Sequence, residues 1–227
     1  MQQHTGHTLI RASLAALLLA GGSGCASLSN TSKGAIIGAA AGGTAGGVIG
    51  HQSGSTTKGA IIGAAVGGAA GAIIGHRMDQ QARELRQNIP GAVVERVGEG
   101  IQVTFHSGLL FDFDSDVIRG EARSNLDQLA SSLRKYANSN LMIAGHTDAV
   151  GRSSYNQSLS ERRARSAARY IASRGVRRHI ETVGLGEREA VASNETDAGR
   201  RENRRVEVAI FANEALRAQA RREAASR

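Results

Sequence analysis

A chain of 227 residues has room for one or two domains, and only 3% of its residues are aromatic. All seven aromatic residues lie between Phe105 and Phe211, which predicts the packed domain in the C-terminal half, because aromatic side chains supply much of a core's buried area. The formal net charge of +8 is spread along the chain without a dense basic block, a distribution that argues against nucleic-acid binding.

The first 24 residues are typical of an export signal. Arg11 precedes the apolar run Leu14–Ala20, which is too short to span a bilayer. The single cysteine, Cys25, follows this segment, so the chain has no disulfide framework. Two interpretations are open: a lipoprotein signal that is cleaved before a lipidated Cys25, and an ordinary secretory signal in which the cysteine is incidental.

Ser23-Gly24-Cys25 resembles the end of a lipoprotein signal, although Gly22 stands where that class usually has Leu. The resemblance implies a lipidated Cys25 and makes residues 25–32 a lipidated linker. Ala26 takes the place of the Asp that often marks retention at the inner membrane. The outer membrane is therefore favoured, with the inner membrane as the alternative.

Residues 33–76 contain an internal repeat. Lys33–His51 matches Lys58–His76 at 15 of 19 positions, and glycines recur every four residues in both copies. This period puts the glycines on nearly one face of a helix, where smooth backbones permit close helix–helix approach. We predict a glycine-zipper helical hairpin, similar to those of bacterial envelope lipoproteins. It either inserts into the membrane or forms a soluble or oligomerising Gly/Ala element.

Residues 77–91 are polar and helix-prone and predict a spacer helix that ends at Pro90-Gly91. Residues 92–212 alternate strand and helix patterns, and residues 213–227 form a basic, Ala/Arg-rich tail that we expect to be a frayed helix. The order of elements predicts an α+β two-layer sandwich, with a mixed sheet and two helices on one face. The predicted elements are strands at 93–97, 101–105, 141–144, 180–183 and 205–211, helices at 121–136 and 158–173, and a polar loop at 194–202.

Two opposite charges lie close to the predicted loop between a strand and a helix. Asp148 ends the run Gly145-His-Thr-Asp148 after a short apolar strand, and Arg163 lies in the first turns of the next helix. A fixed anion beside a fixed cation suits a small zwitterion, whose carboxylate an arginine can hold through two parallel N–H bonds. The alternative is an ion pair between Asp148 and Arg163 that closes the loop.

Five short motifs carry a family resemblance, and together they resemble the OmpA-like peptidoglycan-binding domain across roughly residues 101–212. They are Gly145-His-Thr-Asp148, Tyr155-Asn156, Leu159-Ser160, Arg163-Ala164 and Asn203-Arg-Arg-Val-Glu207. The resemblance implies binding of the diaminopimelate residue in the peptidoglycan stem peptide. It implies no catalysis, and we expect neither a cofactor nor a metal.

Seven residues are candidates for this ligand site. Asp148 would accept from the ligand's ammonium and Arg163 would hold its carboxylate, while Thr147 and Asn156 would add hydrogen bonds. Arg204 matches a family position near the pocket, Phe111 would line it, and Asp112 would accept from the ligand, as would its neighbour Asp114. Rival interpretations of these aspartates are a metal or acid–base site and, for Asp114 and Asp116, a helix-entry cluster. His146 is expected to fix the loop through a hydrogen bond.

The function predicted from these observations is a tether between the outer membrane and the cell wall, on the periplasmic face of a Gram-negative outer membrane. Its expected partners are peptidoglycan, the membrane through Cys25, and further copies through the glycine faces, and the hairpin is a second candidate for contact with the membrane. The alternative is a membrane-active or oligomerising glycine-zipper protein that the wall-binding domain only localises. A wall-degrading enzyme would need a split-role carboxylate pair, or a nucleophile with a base, and the sequence offers no recognisable one.

Overall fold

A computed structural model describes residues 54–226, which contain seven helices and five strands. The predictions for the export signal, the lipidated Cys25, the linker and the first glycine repeat lie outside the described residues. The elements are α1 (Thr56–Gly63), α2 (Gly68–Asn88), β1 (Ala92–Val97), β2 (Gly100–His106), α3 (Ser107–Leu110), α4 (Ala122–Lys135), β3 (Ser139–His146), α5 (Ser153–Ser173), β4 (Ile180–Gly186), α6 (Asp197–Asn203), β5 (Arg205–Ala212) and α7 (Glu214–Ala225).

The five strands form one mixed sheet in the order β1-β2-β5-β3-β4. β3 and β4 are parallel and are connected by the crossover helix α5, whereas the other neighbouring strands are antiparallel. The predicted α+β class and mixed sheet are confirmed. The ends of β3 and β4 and the start of α5 meet at one edge of the sheet, where ligand sites in such folds commonly lie.

One face of the sheet carries the main hydrophobic core. The leucines of α4 recur at three- and four-residue steps, so they share one side of the helix and pack against the sheet. Each such leucine contributes roughly 1.5–3 kcal/mol by leaving water. Besides α4 and α5, helix α2 also belongs to this layer, which therefore holds one more long helix than the two predicted. The core side chains that α2 and α4 bury are Ile74, Met78, Leu85, Leu126, Leu129 and Leu133.

The opposite face of the sheet, here called the outer face, is covered by α1. Ala60 and Ile61 of this helix are 1% exposed and pack with Met142, Ala209 and Phe211. The central strand β5 is consequently buried along its whole length on both faces.

The second glycine repeat is not the single helix that the sequence predicted. α1 ends at Gly63 and α2 begins at Gly68, because Gly67 and Gly68 have φ angles of +73° and +60°, which residues with a Cβ rarely adopt. The Glu99 carboxylate, from the β1–β2 turn, accepts from the backbone N–H of Gly67 at 2.7 Å and so caps the start of α2. The repeat is therefore folded onto the sheet domain, and α2 continues through most of the predicted spacer.

Within residues 54–226, no helix combines the length and the apolar character that a membrane crossing requires.

Two further segments differ from their predictions. The expected polar loop at 194–202 contains α6, which begins after a cap in which Thr196 Oγ1 accepts from Gly199 N at 3.1 Å. The basic tail forms α7, which packs on α2 through the buried Leu216 and Ala220 rather than fraying.

Gly145 sets the separation between β3 and α5, and we expect Gly145→Ala to destabilise the fold by about 1–3 kcal/mol. A Cβ at this position would overlap the backbone carbonyl oxygen of Ser160, which cannot rotate away. The measurement is the free energy of unfolding in urea. Gly108→Ala is the matched control, because a Cβ there meets no atom within 4 Å. Equal stability of the two variants would contradict this close approach.

Candidate functional site

Asp148 lies in the loop after β3 and is 8% exposed. Its Oδ1 accepts from the backbone N–H of Val150 at 3.1 Å, and its Oδ2 is ion-paired with Nη1 of Arg204. The alternative of an Asp148–Arg163 ion pair is therefore wrong: the partner is Arg204, which the turn between α6 and β5 delivers. A carboxylate has about four lone-pair sites, so Asp148 retains acceptor capacity beside these two contacts.

Arg163 is a buried cation that forms no ion pair within residues 54–226. Its one hydrogen bond in that range runs from Nε to the carbonyl oxygen of Ser115, at 2.9 Å. Its guanidinium lies 5.3 Å from the ring centroid of Phe111, an arrangement that stabilises a cation. Nε and the ring fix the guanidinium plane, and the two terminal nitrogens remain for a ligand.

The electrostatic surroundings of Arg163 are mixed. Burial lowers the pKa of its guanidinium, Asp114 opposes that shift, and Arg204 adds to it. Arg204 thus contacts Asp148 directly and acts on Arg163 through its field. Arg204 therefore links the two parts of the site, since it neutralises Asp148 and acts on Arg163 against the carboxylate of Asp114.

Asn156 and Thr147 have different positions from those expected of ligand contacts. The Asn156 amide nitrogen donates to the carbonyl oxygens of Asp148 and Val150, both at 3.2 Å, and to the Glu187 carboxylate at 2.7 Å. Asn156 therefore holds the loop that carries Asp148. Thr147 is 4% exposed, and its hydroxyl oxygen is buried without a hydrogen-bond partner among the described residues.

The two candidate aspartates after α3, Asp112 and Asp114, contact different residues. Asp112 is exposed and lies 3.6 Å from Arg119, and no described contact joins it to Asp148 or Arg163. Asp114, which has a positive φ of 55°, accepts from the Tyr155 hydroxyl and faces Arg163 electrostatically. Asp114 was expected to accept from the ligand. Tyr155 is the site neighbour that the candidate residues did not include, although it belonged to one of the family-like motifs.

A second polar cluster lies beneath the loop, on the outer face. Arg205 and Glu207 form an ion pair at 2.6 Å with both side chains 3% exposed, and the Thr57 hydroxyl of α1 donates to Glu207. The expected hydrogen bond of His146 is absent among the described residues: both ring nitrogens are buried without a partner, and Nε2 lies 3.7 Å from Glu207. His146 is buried before Thr147 and Asp148, with Glu207 as its charged neighbour.

We expect the stability contribution of Glu207 to be lost as pH falls from about 4.5 to about 2. Burial raises the pKa of its carboxyl, but His146, Arg205 and the Thr57 hydroxyl outweigh burial and lower it from 4.5 to about 2. A lowered pKa means that the folded state binds fewer protons than the unfolded state, so protonation favours unfolding. The measurement is the difference in unfolding free energy between the parent and Glu207→Gln, which should narrow over this range.

Glu195→Gln is the control for this pH dependence, because Glu195 is exposed. Its difference from the parent should stay constant with pH. A gap between the parent and Glu207→Gln that is the same at pH 3 and pH 6 would show that Glu207 is not held ionised in the fold.

The site is suited to a ligand that carries both charges. Arg163 offers two nitrogens in a fixed plane to a carboxylate, and Asp148 offers lone pairs to an ammonium. Exposed apolar side chains lie on the neighbouring segments, namely Phe113 and Val117 on either side of Ser115, Val150 two residues after Asp148, and Tyr155 at the start of α5. Desolvation by a bound ligand would strengthen both charge contacts.

Two family models match the chain. The model of the OmpA family matches residues 110–204, which include every candidate site residue except Cys25, and the model of the YMGG-like Gly-zipper matches residues 2–79.

Curated relatives and a solved structure resemble the same region. Outer membrane protein A of Bordetella avium is 41% identical over 110 residues, which are 48% of this chain and 57% of that protein. The chain thus spans little more than half the length of this relative. The peptidoglycan-associated lipoprotein of Brucella melitensis biotype 1 is 33% identical over 117 residues, covering 51% of this chain and 70% of that protein. The cell wall anchor of the T6SS from Pseudomonas aeruginosa has a similar structure, with a TM-score of 0.53 and 31% identity over 59% of this chain and 97% of that chain.

Proposed function

The chain belongs to the OmpA family, and from that membership we propose that it binds peptidoglycan without cleaving it, at the diaminopimelate residue of the stem peptide. The observation that carries the proposal is the buried guanidinium of Arg163, which is held in plane by Phe111 and Ser115 and keeps its terminal nitrogens for a ligand. The free end of diaminopimelate has an ammonium and a carboxylate on one carbon, so it matches Asp148 and Arg163 together.

In the proposed complex, the ligand carboxylate accepts two N–H bonds from Arg163 and the ligand ammonium donates to Asp148. Arg204 adds positive potential near the carboxylate and holds Asp148 through their ion pair. Asn156 acts through the loop rather than on the ligand. The charged groups at the site are two guanidinium groups and the carboxylates of Asp148 and Asp114, each of which already has a hydrogen-bond partner. We propose that this set binds the ligand and does not hydrolyse it.

The wider function that we propose is a tether. A lipid on Cys25 would hold the chain in the outer membrane, and the domain on the periplasmic side would hold the wall. The names of the relatives support this proposal, since one is a peptidoglycan-associated lipoprotein and a solved neighbour is a cell wall anchor.

The test is retention on purified sacculi of two kinds, one with diaminopimelate and one with lysine at the third position of the stem. We expect retention on the first wall, weak retention on the second, and no released fragments, because lysine lacks the carboxylate that Arg163 would hold. A soluble stem tetrapeptide with diaminopimelate should release the bound protein. Equal retention on both walls would contradict recognition of diaminopimelate, and released fragments would contradict a purely binding function.

A further inference from the structure

The outer face of the sheet has a groove that the segment Ser55–Ala65 occupies. Its apolar wall is Met142, Ala209 and Phe211, against which Ala60 and Ile61 are 1% exposed. Its polar end consists of the carboxylates of Glu189 and Glu207. We call this site the outer-face groove and the segment the docked segment.

Three hydroxyl side chains at the start of the docked segment fix its register. The Thr56 hydroxyl donates to Glu189 at 2.5 Å, and the Thr57 hydroxyl donates to the buried Glu207. Ser55 Oγ accepts from the backbone N–H of Lys58 at 3.3 Å and caps α1. Glu207 is 2% exposed beneath this helix, so its buried carboxylate requires a hydroxyl donor at the position of Thr57. The apolar wall requires small apolar side chains in the helix that follows.

The chain contains a second copy of the docked segment, 25 residues earlier. Residues 31–40 read TSKGAIIGAA and residues 56–65 read TTKGAIIGAA, so nine of ten positions are identical. Each anchoring residue has a counterpart of the same chemistry: Asn30 for the capping Ser55, Thr31 for Thr56, Ser32 for Thr57, Ala35 for Ala60 and Ile36 for Ile61. Within the ten-residue window the one substitution, Ser32 for Thr57, keeps the hydroxyl that Glu207 accepts from.

We propose that residues 30–40 are an alternative occupant of the outer-face groove and exchange with the docked segment within one chain. The groove cannot hold both, since each requires Glu207 and the Met142–Phe211 wall. Residues 55–65 are the major occupant, because they lead directly into α2 and therefore have the higher effective concentration. The apolar residue Val66, which is partly buried and has Ala41 as its counterpart, adds to this preference.

The exchange moves the point of attachment by 25 residues. With residues 55–65 docked, the docked segment begins 30 positions after Cys25, and with residues 30–40 docked it begins 5 positions after Cys25. An extended chain spans at most about 3.3–3.6 Å per residue, so the maximum reach differs by roughly 80–90 Å. If Cys25 carries the lipid, as the proposed function holds, the linker between the membrane and the domain has a long and a short form. This consequence rests on the proposed function, whereas the exchange itself does not.

The experiment is thiol labelling of the full chain with Cys25→Ser, so that an introduced cysteine is the only one. We expect Ile36→Cys to label rapidly in this background and Ile61→Cys to label slowly. Disabling the docked segment with Thr57→Ala and Ile61→Asp should slow labelling of Ile36→Cys by about tenfold, which corresponds to about nine tenths occupancy of the groove. Ile37→Cys is the matched control, because its counterpart Ile62 is only half-buried, and its labelling should change less.

Three outcomes decide the proposal. Slower labelling of Ile36→Cys that persists on dilution supports exchange within one chain. An unchanged labelling rate overturns the proposal, and protection that disappears on dilution overturns it in favour of docking between chains. Retention on sacculi is measured on the same variants and should not change, so a failure of this exchange is distinguishable from a failure of wall binding.

Discussion

Arg163→Ala should weaken retention on diaminopimelate-containing sacculi by about 2–5 kcal/mol, which is about 30-fold to several thousand-fold in affinity. Residue Arg163 is only 4% exposed, so much of its desolvation precedes ligand binding. The bound carboxylate therefore meets a cation that water screens only weakly. Arg163→Lys should recover little of the loss, because a lysine ammonium cannot reproduce the planar pair of N–H donors or the contact with Phe111. The measurement is a sacculus-binding isotherm for each variant.

Arg169→Ala is the matched control for this prediction. Arg169 lies on the same helix, and its guanidinium is exposed and bonded to Ser166 at 2.9 Å. Arg169→Ala removes the same charge from α5 as Arg163→Ala does. Its affinity for sacculi should stay within about twofold of the parent's, since exposed charges contribute little. If Arg163→Ala and Arg169→Ala lost affinity equally, general attraction between a basic helix and an anionic wall would explain binding, and the pocket would not.

Helix α4 and strand β5 could be predicted from sequence because their apolar residues recur periodically. The leucines of α4 and the alternation of Val206, Val208 and Ile210 in β5 each point to one buried face. A charged residue between two valines, such as Glu207, is typical of a strand with one solvent-exposed face. Glu207 is 2% exposed in the structure, since α1 covers it and both Arg205 and Thr57 bind it. The covering helix α1 has only three apolar side chains among its threonines, lysine and glycines, so it has no strong hydrophobic pattern from which its position could be predicted.

The motifs predicted which residues belong to the candidate site, but they did not predict which of these residues contact one another. Asp148 and Arg204 are 56 positions apart, and no periodicity connects a loop after β3 to the turn after α6. Asp112 and Asp114 were both expected to accept from the ligand, yet Asp112 lies near Arg119, whereas Asp114 has a positive φ and accepts from Tyr155. Local patterns identify which residues carry charge, whereas long-range packing decides which charges meet.

Asp148→Asn should remove recognition of the ligand's ammonium and cost about 2–5 kcal/mol of binding free energy. The substitution keeps the shape of the side chain and its bond from Val150, so the loop should hold its conformation. It removes the negative charge that a cationic ligand group needs. It also removes the ion-pair partner of Arg204, but the Arg204 side chain is 35% exposed, so water can solvate its guanidinium instead. The measurement is competition against sacculi by stem tetrapeptides that carry diaminopimelate, lysine or 2-aminopimelate at the third position.

These three peptides separate the two charges of the pocket. Diaminopimelate offers both an ammonium and a carboxylate at its free end, lysine offers the ammonium alone, and 2-aminopimelate offers the carboxylate alone. The parent should prefer diaminopimelate to both analogues, since it uses both charges. Asp148→Asn should no longer distinguish diaminopimelate from 2-aminopimelate, and Arg163→Ala should no longer distinguish it from lysine. If Asp148→Asn lost affinity for all three peptides by the same factor, the carboxylate would act through the loop, and the ligand's ammonium would have another partner.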